Sequence, residues 1–224
     1  MVITIDGPVA SGKSSIAKEI GTRLGLFYLN TGLLYRAVAY ILVHDFRKKF
    51  SWEIPLEISE QELAFVKDIV YEFIAGEPHV LFKGKDITAS LSDAGYDQIA
   101  SIVSASKMVR DVLLTVQRVI GEKYNIIADG RDCGSVVFPN ADYKFFLTAS
   151  VDVRTQRVLA DPKRKVQTED YDQIKKDIEA RDKRDQERVV APLVVPDEAI
   201  MIDSSDLDFE ATVQKVLGYV KNYL

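Results

Sequence analysis

One cysteine and two histidines in 224 residues leave little scope for disulfide or zinc chemistry. Cys133 has no second thiol to pair with inside the chain, and His44 and His79 are too few for a zinc cluster. A reduced cytosolic setting is expected. No apolar run approaches the roughly 20 residues that a membrane helix needs, and the strand-like sequence from Val2 leaves no secretory pattern. Excess positive charge is also missing, because 29 Lys and Arg face 34 Asp and Glu for a net charge of −5. A nucleic acid polymer would want a broad basic face. A phosphate-bearing partner is therefore expected to be small and met by local basic residues. Internal repeats and low-complexity tracts are absent as well. What is present, 47% hydrophobic and 28% charged residues, is an ordinary globular composition. The length suits one domain with a modest insertion.

Hydrophobic spacing predicts a buried strand over Val2 to Asp6 and a helix from Ser14 to Leu24 with Ile16, Ala17, Ile20 and Leu24 on one face. A second strand is expected at Leu26 to Leu29, then a helix from about Leu33 to His44. Ser59-Glu60-Gln61-Glu62 reads as a helix start. "IVYEFIAGEPHVLFKGKDIT" predicts a small antiparallel meander of three strands, with turns at Gly76-Glu77-Pro78 and Lys83-Gly84-Lys85. The spacing of Val109, Val112, Leu113, Val116, Val119 and Ile120 predicts an amphipathic helix from Ser106 to Tyr124. "NIIADG" and "YKFFLTA" read as buried strands, each followed by helical sequence. After the charged break "ADPKRKVQTEDYDQ" a long helix is expected to about Val190, then a final strand in "AIMIDSS" and a closing helix. Strands alternating with helices indicate an α/β protein with a mostly parallel sheet, interrupted by the meander.

Between the first strand and the first helix, Gly7-Pro8-Val9-Ala10-Ser11-Gly12-Lys13-Ser14 satisfies G-x-x-x-x-G-K-[ST] in the required strand–loop–helix setting. Glycines let successive N–H groups converge on phosphate oxygens, and the helix start adds a positive dipole end. Lys13 is expected to reach the outer phosphates of a nucleoside triphosphate, and the Ser14 hydroxyl to ligate Mg²⁺.

A phosphate loop leaves GTPases, motors and small-molecule kinases open. Three further places narrow the choice. In "NTGLLYRA", Arg36 lies near a helix start, where the dipole disfavours a cation unless an anion is also there; taken alone, it reads as an exposed arginine. In "IIADGRDCGSVVFP", the Asp129-Gly130-Arg131-Asp132 cluster stands at the carboxyl end of a strand, where α/β folds bind ligands. There Asp129 is suited to a metal site through water, and Arg131 to clamping a phosphoryl group. In the helix before Pro192, Ile174, Ile178, Arg181, Asp185 and Arg188 fall within about 40° of one line at roughly 100° per residue. A solvated charge face lies opposite an apolar stripe, whereas this one continues it, so these charges are expected to face a site. Buried arginines need an anionic partner, which a nucleotide supplies. Ala191-Pro192 is expected to end that helix, Tyr35 and the 109–120 stripe read as core, and Cys133 as an inert small side chain.

These motifs together resemble the cytidylate kinase family of nucleoside monophosphate kinases. The resemblance runs through "ITIDGPVASGKSSIA", "NTGLLYRA", "IIADGRDCGSVVFPNADYKFFLTAS" and "ARDKRDQERVVAPLVVPDEAIMIDSS" in that order, with the meander between. It implies a P-loop kinase with a five-stranded parallel sheet flanked by helices, a small antiparallel acceptor-site insertion and a short lid. The implied core is about 1–29, 106–153 and 192–224, with an acceptor subdomain at about 30–105 and a lid at about 154–191. The implied reaction is transfer of the ATP γ-phosphoryl group to CMP or dCMP with Mg²⁺, by a cytoplasmic monomer.

By matching positions, Gly7, Pro8, Val9, Ala10, Ser11, Gly12, Lys13, Ser14 and Ser15 would bind ATP, with Ser14 and Asp129 (through water) at the metal. Thr31, Arg36, Arg131 and Arg188 would hold the acceptor phosphate. Ser101, Arg110 and Asp132 would read the cytosine, and Arg181 and Asp185 the sugar. Lys13, Arg131, Arg157 and Arg188 would neutralise the moving phosphoryl group. The pattern departs from the family at Asn30, Ser135, Val158 and Leu91, the last two standing where arginine is common. Arg154, Arg164 and Lys165 are therefore further candidates on the lid side. Competing readings are a P-loop kinase for UMP, AMP or shikimate, and a regulatory NTPase. The last expects a guanine-selecting Asn-Lys-x-Asp-type motif, and the sequence has none.

Overall fold

The computed structural model describes residues 1–51, 58–92, 94–161 and 170–220. Five strands form one sheet: β1 (Val2–Asp6), β2 (Phe27–Asn30), β6 (Ile126–Gly130), β7 (Tyr143–Thr148) and β8 (Ile200–Asp203), in the order β2-β6-β1-β7-β8. The β1–β6, β1–β7 and β7–β8 pairings are parallel. β1 and β6 are buried over nearly their whole length, which explains the largely apolar run of each before its aspartate. The register sets Ile5 beside Asp129 and Asp6 beside Gly130, so the loops that follow β1 and β6 leave the sheet side by side.

The remaining elements are β3 (Ile69–Ile74), β4 (Glu77–Phe82) and β5 (Lys85–Asp86), with helices α1 (Lys13–Leu24), α2 (Thr31–His44), α3 (Glu60–Leu63), α4 (Ala94–Val103), α5 (Lys107–Lys123), α6 (Val151–Ala160), α7 (Tyr171–Glu187) and α8 (Phe209–Leu217). Contacts group the chain into two units, Met1–Tyr28 with Tyr124–Leu224, and Leu29–Lys123. The second unit takes in α5, which the sequence reading counts with the core.

In the first unit, Ile16, Ala17 and Ile20 of α1 and Val213 and Val216 of α8 join Ile3, Ile5, Ile127, Phe145 and Leu147 in one apolar cluster. These are the positions at which helical and strand periodicities coincide with the buried faces. A second cluster joins Val9 and Val158 to Ile174 and Ile178 of α7. Val158, where an arginine was the family expectation, thus serves as core.

In the second unit the three-stranded meander forms as expected, but its first turn differs. Ala75 and Gly76 turn at φ 52° and 84°, and Glu77-Pro78 already belong to β4. Lys83 and Gly84, at φ 51° and 77°, make the second turn in the same way. Positive φ at both central residues is the hairpin geometry that matches strand twist. Ser59 caps α3 in a capping box with Glu62. The helix α4 answers to no expectation from the sequence.

Two further expectations are corrected. β6 leads into a single π-helical turn, Cys133–Val137, rather than a regular helix. α7 ends at Glu187, not near Val190, and Arg188 is extended at φ −62° and ψ 139°. The chain doubles back there: Leu193 N–H donates to the Asp185 carbonyl at 2.7 Å, which takes the place of continued helical bonding.

The β1 turn tolerates no side chain at its first residue. A Cβ on Gly7 would lie 2.0 Å from the Leu147 carbonyl oxygen of β7. Gly7→Ala must push the loop away from β7, and a loss of about 1–3 kcal/mol in urea unfolding is expected. An unchanged midpoint would show that the loop shifts freely.

Candidate active site

The site in the first unit grows from the carboxyl ends of β1 and β6. Lys13 begins α1 just after Gly12, and its side chain is buried, with Nζ donating to the Pro8 carbonyl at 2.8 Å. Burial lowers its pKa well below the usual lysine value, and the charge of Arg131 adds to the effect. Asp129 opposes the shift, Arg181 reinforces it and Asp185 opposes it. Lys13, Asp129 and Asp185 are buried there, and Arg131 and Arg181 are half-buried.

Ser14 Oγ donates to Asp129 Oδ2 at 2.6 Å, and Tyr28 OH donates to Asp129 Oδ1 at 2.7 Å. Tyr28 thus fixes one carboxylate oxygen while the other stays with the loop hydroxyl. A hydroxyl and a single carboxylate are hard oxygen donors that suit Mg²⁺, which keeps several waters and takes its remaining ligands from phosphates.

Arg131 Nε donates to Asp185 Oδ2 at 2.7 Å. Burial pushes the Asp185 carboxyl up, but Arg131, Arg181 and Arg188 outweigh it and hold the pKa below the ordinary value. Arg188 Nη2 stands 3.6 Å from Asp132 Oδ1, and its Nε donates to the Ala191 carbonyl at 2.6 Å. Asp132 and Asp185 are both buried. Arg188 reaches the cluster from the C-cap of α7, where its N–H still donates to the Arg184 carbonyl at 3.1 Å, and the chain reverses only after it.

The other expected residues divide. Thr31, Arg36, Ser101 and Arg110 belong to the second unit. There Arg110 is buried, its Nε donates to the Ser104 carbonyl at 2.6 Å and its Nη1 to Tyr35 OH at 3.2 Å. Ser104 Oγ in turn donates to the Ser101 carbonyl at 2.9 Å, so Ser101 and Arg110 are tied through one residue. Tyr35 is buried core, as expected, and also carries that arginine. Thr31 is buried at the start of α2, and Arg36 lies one turn further on, half-buried.

In the first unit, Arg157 Nη1 donates to the Ser11 carbonyl at 3.2 Å, and its Nη2 to the Ser204 carbonyl at 2.8 Å. Arg154 is buried and bonds the Val9 and Ala149 carbonyls and Asp182. The candidates Arg164 and Lys165 lie outside the described residues.

Sequence reading missed two buried carboxylates. Asp182 follows Ile178 at helical spacing, so its burial was signalled, but its neighbour Arg181 lay closer to the stripe's centre line. Asp6 ends a buried strand with a charge, which is itself a signal. It accepts the Cys133 N–H on Oδ1 and the Gly134 N–H on Oδ2, both at 2.7 Å. The π-helical turn after Asp132 is held this way. Gly134 allows the approach, since a Cβ there would lie 2.8 Å from Thr4 Oγ1 and 3.2 Å from Asp6 Oδ2.

Burial raises the Asp6 pKa from 3.8 to about 6, against the lowering effect of the two backbone bonds. Between those values the folded protein holds a proton that the unfolded chain has lost, so this group's contribution to stability falls as pH rises from 3.8 to about 6. Asp6→Asn replaces one acceptor with a donor facing an N–H, and a loss of about 1–3 kcal/mol is expected at neutral pH. The gap between the two proteins in urea unfolding should be larger below the pH of the shift and narrow through it. A gap that does not change with pH would mean that folding leaves the Asp6 pKa where it is in the unfolded chain.

Comparison with known proteins follows the same lines. The family profile described as cytidylate kinase matches residues 3–222. The cytidylate kinase of Caldicellulosiruptor saccharolyticus is 37% identical over 215 residues, covering 96% of this chain and 93% of its own. That of Bacillus thuringiensis is 34% identical over 220 residues, covering 97% and 95%. Among solved structures, a shikimate kinase from Bacteroides thetaiotaomicron superposes with a TM-score of 0.51 at 12% identity, covering 99% of this chain and 98% of its own. An uncharacterized protein from Eubacterium ventriosum gives 0.55 at 12% identity, covering 99% of each chain. At such identities the structural likeness concerns the fold alone.

Proposed function

Because the chain belongs to the cytidylate kinase family, we propose that it transfers the γ-phosphoryl group of ATP to CMP or dCMP, giving CDP or dCDP. One observation carries the reading at the level of residues: Lys13 is buried in the phosphate loop with Nζ on the Pro8 carbonyl, beside a Ser14 hydroxyl bonded to Asp129. A buried cation is stabilised by anions, and a nucleotide's phosphates are the anions this loop is shaped for.

Phosphoryl transfer needs positioning and charge neutralisation more than covalent chemistry. The loop Gly7–Ser15 cradles the donor phosphates, with Lys13 on the outer ones. Ser14 and, through water, Asp129 would hold Mg²⁺, which would supply charge neutralisation on the phosphate oxygens. Arg131, oriented by Asp185, and Arg188, beside Asp132, hold the acceptor phosphate. Thr31 and Arg36 contribute to the same task. Asp132 accepts from the cytosine amine, while Arg110 and Ser101 meet the acceptors on its N3/O2 side. Arg181 and Asp185 bind the sugar. Arg157, already on the Ser11 carbonyl, lies beside the donor phosphates and shares in neutralising the transferred group.

A cytoplasmic location is part of the reading. It is supported by the single cysteine, which is buried and has no second thiol in the chain to pair with. The likeness to shikimate kinases is one of fold and favours no second acceptor.

An ADP-release assay with CMP, dCMP, UMP and AMP tests the function. Turnover should be greatest with CMP or dCMP and low with ATP alone; substantial acceptor-independent hydrolysis would overturn it. Asp132→Ala should lower kcat/KM for CMP by about 10²–10³ and leave the KM for ATP within about threefold. An equal collapse in ATP binding would remove Asp132 from the role of base reader.

A further inference from the structure

Arg154 and Asp182 form a buried ion pair that neither substrate is assigned to touch. Both partners also grip the backbone of one phosphate-loop residue, on the two peptides that flank its Cα. Asp182 Oδ1 accepts the Val9 N–H at 3.1 Å, and Arg154 Nη1 donates to the Val9 carbonyl at 3.1 Å. Arg154 Nε is anchored on the Ala149 carbonyl at 2.9 Å. The Val9 side chain is held on the same helices by Val158, Ile174 and Ile178. Val9 is followed by Ala10 at φ 59°, a left-handed conformation that a residue with a Cβ adopts only when its surroundings impose it.

We propose that the Arg154–Asp182 pair is a positioning device that sets the Val9 backbone, and with it the phosphate loop, from helices α6 and α7. Asp182 sits one helical turn from Asp185, which orients Arg131, and one residue from Arg181. The same rigid turn of α7 thereby fixes the donor loop and the residues assigned to the acceptor. Order imposed by one nucleotide at this turn reduces what remains to be ordered for the other, which is a coupling between the two sites. The inference rests on the reading of Gly7–Ser15 as the ATP loop.

Removing one partner would strand a buried charge, so the test replaces both. The variant Arg154→Met with Asp182→Leu keeps the volume apolar and removes the grip on Val9. It is expected to fold, with an ATP KM raised by about ten- to a hundredfold, a weakened ADP affinity in calorimetry, and a smaller gain in CMP affinity when ADP is bound. A folded double variant with ATP KM and ADP affinity within twofold of the parent would overturn the proposal. If that variant does not fold, Arg154→Lys decides. It retains the charge but lacks the fork that reaches three acceptors, so ADP affinity should fall while circular dichroism and the unfolding midpoint stay close to the parent's. Unchanged ADP affinity in that folded variant overturns the proposal equally. Failure of the parent itself to phosphorylate CMP would strike the functional reading instead, and the ADP titrations would still decide on the pair.

Discussion

Lys13 depends on a balance of charge inside the protein. It is buried, two arginines act on it, and two aspartates offset them. Each of those carboxylates is itself held: Asp129 by Tyr28 and Ser14, Asp185 by Arg131. An unpaired charge in such a place is disfavoured by several kcal/mol as an order of magnitude, so the members are tolerable only as a set. The arrangement gains most when further negative charge arrives, and this links the packing of the first unit to its chemistry.

Around that set, other buried carboxylates act on the backbone rather than on any substrate. Asp6 holds two amides of the turn after Asp132, and Asp182 holds the Val9 amide. Backbone N–H groups in irregular loops lack ladder partners, and a carboxylate satisfies them without lengthening the chain. Gly7 and Gly134 complete this logic from the other side, because each lies where a Cβ would strike a neighbouring strand. The loops are irregular in conformation yet closely specified.

The alternation of buried strands and amphipathic helices was legible because periodicity is local. So was the phosphate loop, whose residue types and flanking elements occur together in one short stretch. Of the charged continuation of the α7 stripe, Asp185 is buried and bonded by Arg131. Arg188 joins Asp132 from the C-cap of α7, with its N–H still on the Arg184 carbonyl, before the chain folds back through Leu193. Helical spacing therefore held for its side chain and failed only for the residues after it. Arg154 read as a lid-side cation because charge at that position is visible and its partner, 28 residues away, is not.

By itself, the amino-acid order determined the parallel α/β core, the meander, the nucleotide loop and the set of charged residues to consider, since all of these follow from short-range pattern and side-chain chemistry. The division of those charges was decided only in three dimensions. Asp6 and Asp182 went to backbone amides, Asp129 to a hydroxyl pair, and Asp185 to an arginine. A carboxylate's role depends on which donors reach it and how far water is excluded, and both are set by segments more than 20 residues apart in the chain.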